Sequence, residues 1–242
     1  MTIIKSGYDL STATYSPEGR VFQIEYASKI VRNSQLVVGV ICKDGLVLLS
    51  EKNRDTQNQK IFNSENIFPI NKSTAIGASG KTGDIYHLIE RARYDDSNHR
   101  EFFSESLTGP LLVARISALM HMHTIYWHLR PFGCSGIIGT ISDFSPEIYV
   151  IFQTGLFVKC YGTAIGNQSE MVKISLENIL AKFQTCRKNI EVISKSIKKI
   201  KPKLNFQTLE IFCFSKERTV FSKPISYNLL MENTRICNFF QY

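Results

Sequence analysis

Long apolar runs are missing from this 242-residue sequence. The longest, Leu36 to Cys42, is far shorter than the roughly 20 residues a helix needs to span a bilayer, so no membrane partner is expected. Close cysteine pairs are missing as well. Cys42, Cys134, Cys160, Cys186, Cys213 and Cys237 are scattered without a C-x-x-C pair. Metal ligation usually uses close pairs, so these cysteines read as small buried hydrophobes in a reducing compartment, with no metal and no cofactor. The amino terminus carries Lys5 and Asp9 and lacks an apolar h-region, so no secretory leader is expected. These absences place the chain in the cytoplasm or nucleus.

What is present is enough for a large core. With 43% hydrophobic residues, a chain of this length buries roughly 70–75% of its unfolded surface without disulfide staples. A net charge of +8 invites a nucleic-acid reading, but its distribution argues against one. Between Lys182 and Lys203 there are eight basic residues and one acid, Glu191, and the rest of the chain is close to neutral. Such a run reads first as a solvated helix face, with a nuclear-import patch as the alternative.

Residues 1–15 are small and polar and read as a flexible tail, followed by a single domain over 16–242. Ser16-Pro17-Glu18 carries an N-cap, a first-turn proline and an acid, which predicts a helix from Pro17 to Asn33. Its apolar arc is Phe22, Ile24, Tyr26, Ala27, Ile30 and Val31. Leu36–Cys42 and Leu46–Leu49 flank Lys43-Asp44-Gly45, a hairpin signal whose central turn residues are expected at positive φ. The runs are continuous rather than alternating, so these strands must be covered on both faces. Short strands are predicted near 67–70 and 74–78, and two helices follow, marked by Ile85, Leu88, Ile89 and Ala92 and by Leu112, Ile116 and Leu119. Strands return near 136–141, 147–152 and 156–161. A second helix pair, over Val172–Phe183 and Ile190–Ile200, precedes strands near 208–214 and 219–221 and a helix around 226–239. Helices arriving in pairs between doubly covered antiparallel strands predict an α/β four-layer αββα sandwich of two antiparallel sheets.

Three constellations invite chemistry. Ala75-Ile76-Gly77-Ala78-Ser79-Gly80-Lys81-Thr82 nearly matches a P-loop, but Ala75 replaces the first glycine and the hairpin signal is antiparallel. A strand-to-helix turn is the plainer reading. His121, His123 and His128 have no i, i+4 pair and point to surface positions rather than a metal site. No serine, histidine and aspartate order or paired carboxylates emerge with supporting context.

Gly7-Tyr8-Asp9-Leu10-Ser11 followed by Tyr15 through Ala27 resembles the amino-terminal signature of proteasome alpha subunits. Lys43-Asp44-Gly45, Arg130 through Ser135 and Thr163-Ala164-Ile165-Gly166 continue the resemblance in register, over about residues 5–190. Gly-Tyr-Asp-Leu-Ser, Val-Phe-Gln and Gly-Cys-Ser are most similar to the type-3 branch of that family. The resemblance implies an N-terminal-nucleophile hydrolase fold and a non-catalytic structural and gating role in the outer hetero-heptameric alpha ring of the 20S core, in ubiquitin-dependent proteolysis. Implied partners are other alpha subunits, beta subunits, and activators or an ATPase regulatory particle. Gate residues would be Tyr8, Asp9, Pro17 and Tyr26.

Catalytic beta subunits of the family use an N-terminal threonine whose α-amine assists as base. By the resemblance that position falls at Gln35, the acid partner at Glu51 and the lysine near Asn66, so no catalytic residue is expected. Asn66 also stands where alpha subunits often carry an activator-pocket lysine, with Lys60 and Lys72 the nearest lysines in sequence. The usual Asp-Pro-Ser-Gly turn appears as Phe152-Gln153-Thr154-Gly155, and the acidic tail of many type-3 members is absent. A beta-type threonine peptidase and a P-loop nucleotide binder are the alternatives that structure must separate from this reading.

Overall fold

The computed structural model describes residues 7–9, 11, 14–51, 65–142, 145–202, 209–215 and 225–226. The tail expected over 1–15 falls partly outside them. So do the strand expected near 219–221 and the helix expected at 226–239, except for Ser226.

A 3-10 turn, Gly7–Asp9, lies against helix α1 (Phe22–Arg32). Strands β1 (Val37–Ile41) and β2 (Gly45–Glu51) form the expected hairpin, with Val37 opposite Ser50 and Ile41 opposite Leu46. Strands β3 (Ile67–Pro69) and β4 (Thr74–Gly80) precede helices α2 (Thr82–Phe103) and α3 (Gly109–Ile125). Strands β5 (Cys134–Ser142), β6 (Ser145–Ile151), β7 (Phe157–Cys160) and β8 (Gly162–Ile165) come next. Helices α4 (Ser169–Leu180) and α5 (Cys186–Ile200) and strands β9 (Leu209–Ser215) and β10 (Ile225–Ser226) complete the order.

The strands form two antiparallel sheets, ordered β10-β9-β2-β1-β8 and β3-β4-β5-β6-β7. Why β1 and β2 read as unbroken apolar runs is now plain. Successive side chains point to opposite faces. Val38, Val40, Val47 and Leu49 join the core beneath α4 and α5, while Val37, Ile41, Leu46 and Leu48 join the core between the sheets. Both faces are buried, so no polar alternation remains. Each fully buried leucine of this hairpin contributes about 1.5–3 kcal/mol by leaving water. On the other side, Ile85, Leu88, Ile89, Leu112 and Ile116 of α2 and α3 pack on Ile76 and Ile138. The four-layer αββα sandwich is therefore the architecture of this chain. Among the described residues no helix is long and apolar enough to cross a membrane.

Three local expectations are corrected, and one strand is added. The helix expected from Pro17 begins at Phe22, because Ser16–Gly19 closes a turn of its own. In that turn Gly19 N donates to Ser16 O at 2.8 Å, Ser16 N donates to Arg20 O at 2.9 Å, and Gly19 takes φ +74°. The β1–β2 turn needs no positive φ at Asp44 or Gly45. Tertiary contacts hold it instead: Lys43 N donates to Gln184 O at 3.0 Å, and Asp44 Oδ1 accepts from Cys186 N at 2.8 Å. The strand expected over 156–161 is β7 on β6, and the sequence reading missed the next strand, β8 on β1 in the other sheet, into which the chain passes at Tyr161. Ser226 belongs to a strand rather than to a helix.

Candidate functional site

Two groups of residues merit description as sites: the seat of α1, and the end of the sandwich where Gln35, Glu51 and Asn66 meet.

The seat of α1 is built by the segment Arg130-Pro131-Phe132-Gly133. Asp84, in the first turn of α2, is only 6% exposed. Its carboxylate accepts from Arg130 Nη1 at 2.7 Å, from Arg130 Nη2 at 2.5 Å and from Gly133 N at 2.8 Å. Burial alone would raise the Asp84 pKa, but these donors outweigh it and hold the carboxyl below its ordinary value. A methyl group added at Gly133 would lie 3.3 Å from both Asp84 Oδ2 and Ile30 Cδ1, so the clamp and α1 touch the same glycine. Ala27 and Val31 of α1 are buried in this seat. Phe22, Ile24 and Tyr26 are only half-buried, and Ile30 is 42% exposed, so the apolar arc is covered on one side only.

The near P-loop belongs to this same junction. It joins antiparallel β4 to α2, and its Lys81 N–H donates to Gly133 O at 2.8 Å. Gly80 takes φ +142°, and a Cβ there would meet Gly133 O at 2.2 Å. The glycine serves close approach of two backbones, not a phosphate, and the nucleotide reading is set aside.

The expected gate residues take these places. Tyr8 lies in the 3-10 turn, 37% exposed; the side chain of Asp9 is outside the described residues. Pro17 is exposed in the turn before α1. Tyr26 is half-buried in α1, stacked on Phe22 with ring centroids 6.5 Å apart, and Lys29 Nζ lies 5.6 Å from its ring. Tyr8 and Tyr26 are thus on neighbouring elements, and Pro17 leads into the second of them.

At the second group, Asn66 N donates to Glu210 Oε2 at 3.0 Å, and Asn66 Nδ2 donates to Glu51 O at 2.9 Å. Glu51 Oε2 pairs with Lys201 Nζ at 2.7 Å, and Glu51 N donates to Leu36 O at 2.9 Å. Ser79 Oγ donates to Gln35 O at 2.6 Å. The structure therefore brings the three positions to one end of the sheets. Gln35 is internal to the chain, between α1 and β1, with neither a hydroxyl nor a terminal amine. Lys201 reaches this group through the Glu51 carboxylate; Lys72 is exposed in the β3–β4 turn, and Lys60 lies outside the described residues. Reading the sequence missed Asp84, Lys201 and Glu210. An acid in the first turn of α2, following the near P-loop, was the one available signal for Asp84.

The histidines do not converge. His121 Nδ1 lies 3.3 Å from Thr154 O, His123 Nδ1 lies 3.2 Å from Arg130 O, and the His128 ring packs near Tyr126 and Trp127. On the basic run, Lys195 pairs with Glu191 and Lys201 with Glu51, while Lys188 and Lys199 face solvent on α5.

Comparisons with known proteins agree with this geometry. A family model for proteasome subunits matches residues 31–212, and one for the N-terminal signature of the A-type proteasome subunits matches residues 8–29. The alpha type-3 proteasome subunit of Spinacia oleracea is 34% identical over 236 residues, covering 96% of this chain and 94% of its own length. The protein of the same name from Oryza sativa subsp. japonica is 35% identical over 197 residues, covering 81% and 79%. The alpha proteasome subunit of Thermococcus sibiricus is 29% identical over 219 residues, covering 90% and 84%.

Proposed function

The chain belongs to the alpha-type proteasome subunits, and on that premise we propose that its amino-terminal segment helps gate substrate entry into the 20S core. It is a non-catalytic structural subunit of the outer alpha ring and assembles there with other proteasome subunits.

One observation carries the gating reading: the signature over residues 8–29 runs into a helix that is clamped in place. A short segment tethered to α1, repeated by neighbours around a ring, can occlude a central pore. Tyr8, Asp9, Pro17 and Tyr26 from adjacent subunits would hold such segments open, aromatic rings packing on proline and a phenol donating to the carboxylate. The half-covered arc of α1 supports contact with a neighbouring subunit. Activators, including an ATPase regulatory particle in ubiquitin-dependent degradation, would dock weakly beside Asn66. Two carboxyls and a lysine already paired with one of them offer little to a C-terminal carboxylate. Unpaired thiols at Cys42, Cys134, Cys160, Cys186 and Cys213 support a reducing cytoplasmic and nuclear location.

The test is a core particle whose copy of this chain lacks residues 2–11. Basal peptide hydrolysis by the beta rings should rise without an activator. Unchanged basal hydrolysis would remove this tail from the gate.

A further inference from the structure

The β1–β2 turn and the start of α5 bring together residues that the sequence scatters. Cys42, Asp44 and Cys186 each offer one ligand atom, and these atoms all lie within 4.8 Å of one another. Among the described residues no other group of three or more histidines, cysteines and acids is packed this closely. Cys42 is 0% and Cys186 2% exposed, while Asp44 is half-buried beneath the exposed turn at Lys43, which leaves a short route from solvent.

A second observation comes from Asn189, three residues along α5 from Cys186 and so on the same helix face. It is 2% exposed, and its Nδ2 donates to Cys42 Sγ at 3.2 Å. Its Oδ1 is buried and has no hydrogen-bond partner among the described residues. A buried amide oxygen left so costs about 1–3 kcal/mol. Its Nδ2 also lies 3.5 Å from Gln184 O, while its neighbours on α5, Ile190 and Ile193, belong to an apolar core, and no partner meets the Oδ1 among the described residues.

We propose that Cys42, Asp44 and Cys186 bind a zinc ion, with the Asn189 amide alongside. Two sulfurs and a carboxylate suit this borderline-soft cation. One oxygen of Asp44, Oδ1, accepts from Cys186 N at 2.8 Å, which orients the carboxylate and leaves Oδ2 as a donor to the metal. Cys186 is the first residue of α5, and without a metal its hydrogen bond to Cys42 and its burial push the thiol pKa up, so the ion must displace that proton. The Asn189 N–H supports the Cys42 thiolate from outside the coordination shell. Binding converts two thiols to thiolates and releases two protons to solvent, without any redox change. The ion would tie the β1–β2 turn to α5, adding to the hydrogen bonds and apolar packing already there.

Cobalt(II) titrated into the reduced, purified full-length chain provides the test. One equivalent should bind with a thiolate-to-cobalt charge-transfer band, and zinc should displace it. Cys42→Ser and Cys186→Ser should each abolish the band, and Asp44→Asn should weaken binding at least tenfold. Cys160→Ser, on β7 in the other sheet, should bind as the unaltered chain does. Should the cysteine variants not fold, X-ray absorption on the zinc-loaded unaltered chain decides, because two sulfur neighbours are required. No band in the unaltered chain, a band surviving either cysteine change, or a shell without two sulfurs would overturn the proposal.

Discussion

Replacing Asp84 by asparagine should destabilise the chain by about 2 kcal/mol, and the geometry of the clamp sets that figure. The carboxylate accepts three bonds of 2.5–2.8 Å, two from Arg130 and one from Gly133. A hydrogen bond to a charged group contributes roughly 1.5–3 kcal/mol when buried. Arg130 is 56% exposed on its side chain, so water screens its share and moves it toward the low end. Asparagine keeps the shape and one acceptor oxygen but loses the charge, so part of the network survives. For a chain of this size, about 2 kcal/mol lowers the melting temperature by roughly 4–8 °C.

The pH dependence supplies a sharper check. Asp84 is held below its ordinary value in the folded chain. A carboxyl of that kind contributes stability above its unfolded pKa and loses it as pH falls through the folded one. The gap between parent and Asp84→Asn should therefore be full at neutral pH and shrink in acid. Thermal unfolding at several pH values, with Arg130→Ala completing a double-mutant cycle, measures both effects. Equal melting temperatures at neutral pH, a gap that persists in acid, or zero coupling to Arg130 would refute the assignment.

Further outcomes concern assembly, docking and chemistry. Phe22→Asp places a charge on the half-covered arc of α1 and should block ring assembly while the domain still unfolds cooperatively; normal incorporation into core particles would refute this. Asn66→Lys should tighten binding of activator carboxy-terminal peptides to the core by about tenfold through a charge-assisted bond. Equal affinity in a titration would show that Lys201 already supplies the charge. The purified chain should hydrolyse no fluorogenic peptide, and Gln35→Ala should change nothing; turnover lost in that variant would overturn the non-catalytic assignment.

The sequence made the layers legible because burial on both faces leaves a visible mark. Leu36–Cys42 and Leu46–Leu49 could not alternate, since each strand faces two apolar cores. The α2 residues Ile85, Leu88, Ile89 and Ala92 repeat at helical spacing and are all buried. The passage from β7 to β8 in the other sheet left no such mark. Leu156, Phe157, Val158 and Tyr161 are exposed along an edge, and the switch at Tyr161 is fixed by its O accepting from Ile41 N, 120 residues away in sequence. The start of α1 was misplaced because Ser16-Pro17-Glu18 serves a tight turn as well as it serves a helix. Partners across long separations were illegible for the same reason: Lys201 reaches Glu51, and Arg130 reaches Asp84, through the fold alone. The cluster at Cys42, Asp44 and Cys186 shows the limit of spacing rules, which look for close pairs in sequence.

The end of the sandwich where Gln35, Glu51 and Asn66 meet is given over to structural bonds. A nucleophile there needs a free terminal amine and a side chain that can attack. Gln35 has neither, and its backbone oxygen is held by Ser79 Oγ at 2.6 Å. The Glu51 carboxylate is occupied by Lys201, while its backbone oxygen accepts from Asn66 and its N–H donates to Leu36 O. Each of these bonds ties β1, β2 or β3 to a neighbour. Together they fix the base from which α1 departs, and α1 is fixed again at Gly133 by the Asp84 clamp. A helix anchored at both its departure and its flank suits a structural, non-catalytic subunit of the alpha ring.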